Sequence, residues 1–220
     1  MDNLNETQKG SKTSIYNVVI LDQSGSMDYI KREAISGYNE TLQTIQAAQE
    51  QYADCQIHFV TLVVFNSSST KTVYDRVNCM DAQELDDKTY RPKSCTPLFD
   101  AMGTTLTKFR YSLDAETDYK VLVTIITDGM ENDSREYNRQ QIHQIVTELK
   151  EAGWVFAYIG ANHDVESFSR SIAIPNALAF ESTGSGTKSM FAKERRHRMS
   201  LYNKIKEGFG HDLVSGFFDI

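Results

Sequence analysis

Three oxygen-bearing side chains alternate along one short turn: Asp22, Ser24 and Ser26, in the order Asp-Gln-Ser-Gly-Ser. This spacing can aim all three at one point, and Gly25 gives the turn room to bend. Thr96 adds a hydroxyl and Asp128 a second carboxylate from distant parts of the chain. A set of oxygens with neither His nor Cys describes a hard-cation site, for Mg2+ or Mn2+ rather than zinc. Two carboxylates formally neutralise a divalent ion, while the hydroxyls contribute dipoles without charge. Such an ion keeps a demand for one more anionic ligand, such as a Glu or Asp from another protein. Taken alone, an Asp-x-Ser-x-Ser turn is ordinary, because Asp and Ser often cap helices. Its weight here comes from where it falls.

The apolar run IYNVVIL at 15–21 stops at Asp22 and reads as a buried, parallel strand. The helix that follows carries Ile30, Ala34, Tyr38, Leu42, Ile45 and Ala48 as one stripe. Its N-terminal N–H groups lie toward the same rim, and Asp28 complements that end of the helix dipole. QIHFVTLVVF at 56–65 is a second strand. A turn from Asn66 returns the chain along 70–77 as a hairpin. Residues 78–95 are polar and irregular. Pro97 opens a helix with Leu98, Met102, Leu106, Phe109 and Leu113 on its apolar face. KVLVTIIT at 120–127 is the clearest central strand and ends in Asp128-Gly129. Ser134 is the expected cap of the next helix, which carries Ile142, Ile145, Val146 and Leu149 and stops at Gly153. A strand at 154–159, a helix at 161–171, a strand at 176–180 and a basic helix at 187–207 complete the series.

Strands alternating with helices predict an α/β fold. The sheet is mostly parallel, with helices on both faces and the 70–77 strand as its antiparallel edge. Ligands in such sheets bind outside the carboxyl ends of the strands. Asp22 and Asp128 each end a strand and Thr96 opens a helix, so the three motifs can converge on one rim.

The chain has 220 residues, 40% of them hydrophobic and 24% charged. It fits one domain with a sizeable core that needs neither disulfides nor zinc. Cys55, Cys79 and Cys95 fit no zinc or CxxC spacing and read as reduced thiols. There is no long apolar run and no signal-like N-terminus, so the expected location is cytoplasmic, without membrane contact. Asn5-Glu6-Thr7 and Asn66-Ser67-Ser68 match a glycosylation pattern but read as chance. The net charge of -7 argues against a nucleic-acid partner. That average is uneven: residues 1–187 hold 26 acids and 16 bases, whereas 188–220 hold 4 acids and 7 bases.

Three segments carry a resemblance: VVILDQSGSM at 18–27, SCTPLFDAM at 94–102 and VTIITDGMEN at 123–132. They resemble the von Willebrand factor type A domain family over residues 14–181. The resemblance implies a Rossmann-like three-layer sandwich and a metal-ion-dependent adhesion site at Asp22, Ser24, Ser26, Thr96 and Asp128. It makes Ser24, Ser26 and Thr96 the direct ligands, with Asp22 and Asp128 acting partly through coordinated waters. One departure is Ser94-Cys95 before Thr96, where many members carry glycines. The expected organisation is a leader at 1–13, the domain at 14–181, and a basic helix and tail at 182–220 that looks like the final helix of bacterial members.

Other features weigh less. Gly184-Ser-Gly-Thr-Lys-Ser189 lacks the Gly before Lys that a phosphate loop requires, and reads as a turn into a helix. His58 and His143 do not join the cluster, whereas His163 with Asp164 could reach the rim. Tyr202 and Phe209 read as packing residues. The run KERRHR at 193–198 reads as a solvated helix face, with docking onto the acidic body or a partner, or nucleic-acid contact, as alternatives. The function expected is a metal-dependent binding module, not an enzyme, whose ion is completed by an acidic residue of a partner protein. The alternatives are a Mg-dependent hydrolase or phosphotransferase, with His163 as a distant base, and a nucleic-acid adaptor acting through 188–206.

Overall fold

A computed structural model describes residues 12–128, 131–161, 164–180 and 184–208, with the side chains of 184–188 left aside. Six strands form one sheet: β1 (Thr13–Asp22), β2 (Gln56–Asn66), β3 (Ser69–Asn78), β4 (Tyr119–Thr127), β5 (Val155–Gly160) and β6 (Ala177–Ala179). Their order is β3-β2-β1-β4-β5-β6, with every pairing parallel except β2 with β3. Five α-helices cover the sheet: α1 (Lys31–Gln51), α2 (Leu98–Ser112), α3 (Arg139–Glu151), α4 (Val165–Ser171) and α5 (Gly184–Lys206). This is the Rossmann-like α/β sandwich expected from the alternation of elements.

β1 runs through the middle and is buried on both faces. Its alternate residues Tyr16, Val18 and Ile20 join α2, α3 and α4 in one core. Val19 and Leu21 point the other way, into a core shared with α1 and α5. The near-continuous apolar run of this strand thus follows from helices on both sides of it.

Several local expectations change. α3 is capped by Asn138, not by Ser134. The Asn138 side chain accepts from the Gln141 N–H, and the Gln141 side chain accepts from the Asn138 N–H. Ser134 is engaged elsewhere, donating to Glu131 at 2.6 Å. Gly153 does stop α3. It adopts φ +86, its N–H donates to the Lys150 carbonyl, and the Trp154 N–H donates to the Leu149 carbonyl. Those two bonds satisfy carbonyls the helix end leaves open. Before α1, residues Gly25–Ile30 form a 3-10 turn, so Ile30 of the expected apolar stripe precedes the regular helix, which begins at Lys31. Gly184 to Ser189 lies within α5 and not in a loop. Asn66 is buried and accepts from the N–H groups of Ser68 and Ser69, so its side chain builds the hairpin turn.

The run KERRHR divides. Lys193, Arg195 and Arg196 are exposed, but Arg198 is fully buried. Its guanidinium donates to Glu194 at 2.7 Å, to Thr124 of β4 at 2.8 Å and to Asn17 of β1 at 3.2 Å. The solvated-face expectation therefore fails for this residue, which docks α5 onto the sheet. Tyr202 packs as expected and also donates to Asn17. Phe209 lies outside the described residues. Among the described residues no helix is long and apolar enough to cross a membrane.

Candidate metal centre

The chain leaves β1 toward β2 on one side and later returns to β4 on the other. β1 and β4 are thus parallel neighbours at the point where the strand order reverses. Their register pairs Leu21 with Ile126, so Asp22 and Asp128 emerge at the same carboxyl edge. This is the position where α/β sheets open a crevice.

Asp22 is fully buried. Its carboxylate accepts from the Ser24 N–H at 2.7 Å and from the Thr127 hydroxyl at 2.6 Å. Below it, the Tyr90 hydroxyl donates to the Asp22 main-chain carbonyl. Tyr90 is buried, and burial together with the charges of Asp22 and Asp128 pushes its pKa far above the usual phenol range, so it stays a donor. Ser26 donates to Asp128 at 2.7 Å, and the hydroxyls of Ser24 and Ser26 stand 3.2 Å apart. Four of the five predicted residues are thereby drawn together. Burial pushes the Asp22 carboxyl up to about 6, against the bonds from Thr127 and Ser24, and the Asp128 charge pushes the same way. Two carboxylates brought together in a desolvated crevice are a poor arrangement for anions alone and a favourable one around a cation.

Thr96 reaches this rim through its main chain. Its N–H donates to the Asn132 side-chain oxygen at 2.9 Å, and the Asn132 N–H donates to the Thr96 carbonyl at 3.2 Å. Just before it, the Ser94 carbonyl accepts from the Gly25 N–H at 2.8 Å, and the Lys93 N–H donates to the Gln23 carbonyl. Gly25 suits this close approach, since a Cβ there would sit 3.3 Å from the Ser94 oxygen, a tight contact. Ser94 itself takes φ +67, and Cys95 beside Thr96 is exposed.

The donor set fits a hard divalent ion: carboxylates and hydroxyls at one point, with a buried anion in need of a counter-charge. Among the described residues no group of three or more His, Cys, Asp or Glu forms a competing metal site. His163 lies outside the described residues. Its neighbour Asp164 caps α4, accepting from the Ser167 N–H at 3.0 Å.

A family model described as von Willebrand factor type A domain matches residues 18–193. The chain belongs to the von Willebrand factor type A family. No curated protein is similar enough to be matched. Among solved structures, this type A domain is similar to the pilus adhesin SpaC from Lactobacillus rhamnosus GG in its open conformation. The TM-score is 0.63 and the identity 14%, over 89% of this chain and 31% of that one. It is also similar to a manganese-loaded TRAP protein of Plasmodium vivax, at TM-score 0.54 and 17% identity, over 94% and 73%. A third is the mussel byssus proximal thread matrix protein 1 with a zinc-occupied MIDAS motif, at TM-score 0.55 and 11% identity, over 86% and 46%. The chain spans less than half the length of two of these three proteins. At such identities the likeness concerns the fold.

Some residues that build this type A site are not evident from its motifs. Glu131 accepts from the N–H groups of Phe99, Asp133 and Ser134. Asp100 accepts from the N–H groups of Arg135, Glu136 and Tyr137. The start of α2, capped by no side chain of its own N-cap residue Pro97, is thus capped by the loop that follows Asp128. The sequence signal for this was the run ENDS at 131–134, which overlaps the segment VTIITDGMEN already noted.

Proposed function

We propose that this domain is a metal-dependent protein-binding module and not an enzyme. Asp22, Ser24, Ser26, Thr96 and Asp128 would hold one divalent cation, and a Glu or Asp of a partner protein would complete its shell. When bound, the ion supplies a Lewis-acidic position at the surface that recognises a carboxylate. The residues of the chain orient it. Thr127 and the Ser24 N–H fix the Asp22 carboxylate, and Ser26 bridges to Asp128. All-oxygen donors favour Mg2+ or Mn2+. The manganese-loaded TRAP protein and the matrix protein with a zinc-occupied MIDAS motif support a divalent ion here. The observation that carries the reading is the pairing of the buried Asp22 with the Ser24–Ser26–Asp128 cluster at the switch point of the sheet. A cytoplasmic setting belongs to the same proposal and accords with three free thiols.

The test is calorimetric titration with Mg2+ and Mn2+ of the wild type and of Asp22→Ala, followed by partner capture with Mg2+ or with EDTA. Saturable ion binding lost in Asp22→Ala, and capture lost with EDTA, are expected. Partner binding that survives both the variant and the chelator would sink the proposal.

A further inference from the structure

The stretch 88–95, whose end is bonded to the candidate metal centre, is cationic, although the body of the domain is acidic. The loop between β3 and α2 carries Lys88, Arg91 and Lys93, all exposed, with no acid between 88 and 95. Its end lies directly against the Asp22–Ser26 turn. The Lys93 N–H donates to the Gln23 carbonyl at 2.9 Å, and the Ser94 carbonyl accepts from the Gly25 N–H at 2.8 Å. Midway along it, Tyr90 is buried and its hydroxyl holds the Asp22 carbonyl. The three cations therefore stand on a segment anchored beneath the metal centre.

The two acids just before Lys88 are engaged. Asp86 accepts from the N–H groups of Lys88 and Thr89 and from the Thr89 hydroxyl. Asp87 pairs with Lys31 at 3.2 Å. Among the described residues, no carboxylate forms an ion pair within 4 Å with Lys88, Arg91 or Lys93, although Asp86 lies near enough to Lys88 to feel its charge. The loop after Asp128, joined to Thr96 through Asn132, carries Glu131 and Asp133, and Asp100 of α2 bonds to it. Glu131 and Asp100 are satisfied by main-chain N–H groups, and Asp133 lies 3.7 Å from Arg135.

We propose that the Lys88–Lys93 loop is a second contact zone of the same interface, selecting partners whose metal-binding carboxylate is flanked on one side by further carboxylates. This rests on the metal-dependent reading above and adds the chemistry of the partner: an acidic segment in place of a lone Asp or Glu. The segment runs from the centre toward residues 88–93, because the loop after Asp128 presents carboxylates instead. Cations fixed on an anchored loop steer such a segment, and they also select it over a neutral one.

The experiment uses the full chain loaded with Mn2+ and two labelled peptides in a Gly-Ser background. One has a single Asp, and the other has the same Asp followed by three Glu. Mn2+ affinity is measured alongside by calorimetry. The wild type is expected to prefer the acidic peptide by about 10-fold at low salt, and high salt is expected to erase the preference. The triple variant Lys88→Ala/Arg91→Ala/Lys93→Ala is expected to keep its Mn2+ affinity and its binding of the single-Asp peptide while losing the preference. If Mn2+ binds but the acidic peptide is not preferred, if neither peptide binds, or if the preference survives the triple variant, this inference is overturned and the metal centre stands. If Mn2+ fails to bind the wild type, the underlying reading fails instead.

Discussion

Asn132 grips Thr96 at both of its main-chain polar groups, its side-chain oxygen taking the Thr96 N–H and its own N–H reaching the Thr96 carbonyl. Asn132 stands four residues beyond Asp128, so this pair of bonds joins two arms of the site that lie far apart in sequence. Glu131 and Asp100 reinforce the joint from either side, one accepting from α2 and the other from the loop. The Thr96 arm has no strand of its own to fix it. Its position follows from this clamp and from the Ser94–Gly25 contact.

Asn132→Ala should therefore loosen the metal centre without unfolding the domain. Groups that orient metal ligands typically cost about 10- to 100-fold in affinity when removed. Mn2+ calorimetry on Asn132→Ala and Asn132→Asp separates positioning from bulk stability. The Asp variant keeps an acceptor for the Thr96 N–H and should stay near wild type. Equal affinity in all three proteins would show that Thr96 needs no clamp.

Tyr29 is 92% exposed on the 3-10 turn that carries Ser26. An aromatic ring this bare, three residues from the candidate ligand Ser26, contributes little to folding and is suited to a partner contact. Tyr29→Ser should change unfolding stability by less than about 0.5 kcal/mol. Retention of a captured partner should fall while Mn2+ affinity is unchanged. Undiminished retention would remove Tyr29 from the interface.

The buried pair of Arg198 with Glu194 makes a stability prediction. Arg198→Met leaves the Glu194 carboxylate desolvated without its cation, which typically costs about 3–5 kcal/mol. The double variant Arg198→Met/Glu194→Gln should recover much of that loss, since the stranded charge is gone. Urea midpoints of the three proteins measure both effects. A cost below about 1 kcal/mol for the single variant would mean that Glu194 finds solvent once Arg198 is removed.

What could be read in the sequence followed from locality. The inner strands β1, β2, β4 and β5 are apolar runs, and Asp22 and Asp128 sit at the ends of two of them. The rule that parallel sheets bind at their carboxyl edges then brought the motifs together before any coordinates did. Long-range partners stayed hidden. Nothing in KERRHR distinguishes Arg198 from Arg195 or Arg196, because its burial depends on Asn17 and Thr124, far away in the chain. Ser134 and Asn138 are both good capping residues, and only the competing bond to Glu131 takes Ser134 away. The Asn138-x-x-Gln141 spacing was nevertheless the better local signal. Tyr90 lies in a segment with no periodicity, so its reach to Asp22 had no sequence signature.

His58 supplies the pH prediction. It is fully buried on β2, with one ring nitrogen 3.1 Å from the Gln56 side-chain oxygen and the other without a hydrogen-bond partner. Burial, with the nearby Arg198 charge, lowers its pKa to about 3. Above the unfolded value of about 6.5, His58 is neutral in both states and contributes no pH dependence. Below it, the unfolded chain takes up a proton that the folded one refuses, so stability falls with pH until about 3. The expected loss is about 2 kcal/mol between about pH 7 and about pH 5. Asp22, pushed up to about 6, acts in the opposite direction at the acid end, so the measurement is a difference between proteins that share Asp22. His58→Leu should lose less stability than the wild type over this interval, read from urea midpoints at each pH. Parallel profiles for the two proteins would mean that His58 takes up its proton without unfolding the sheet.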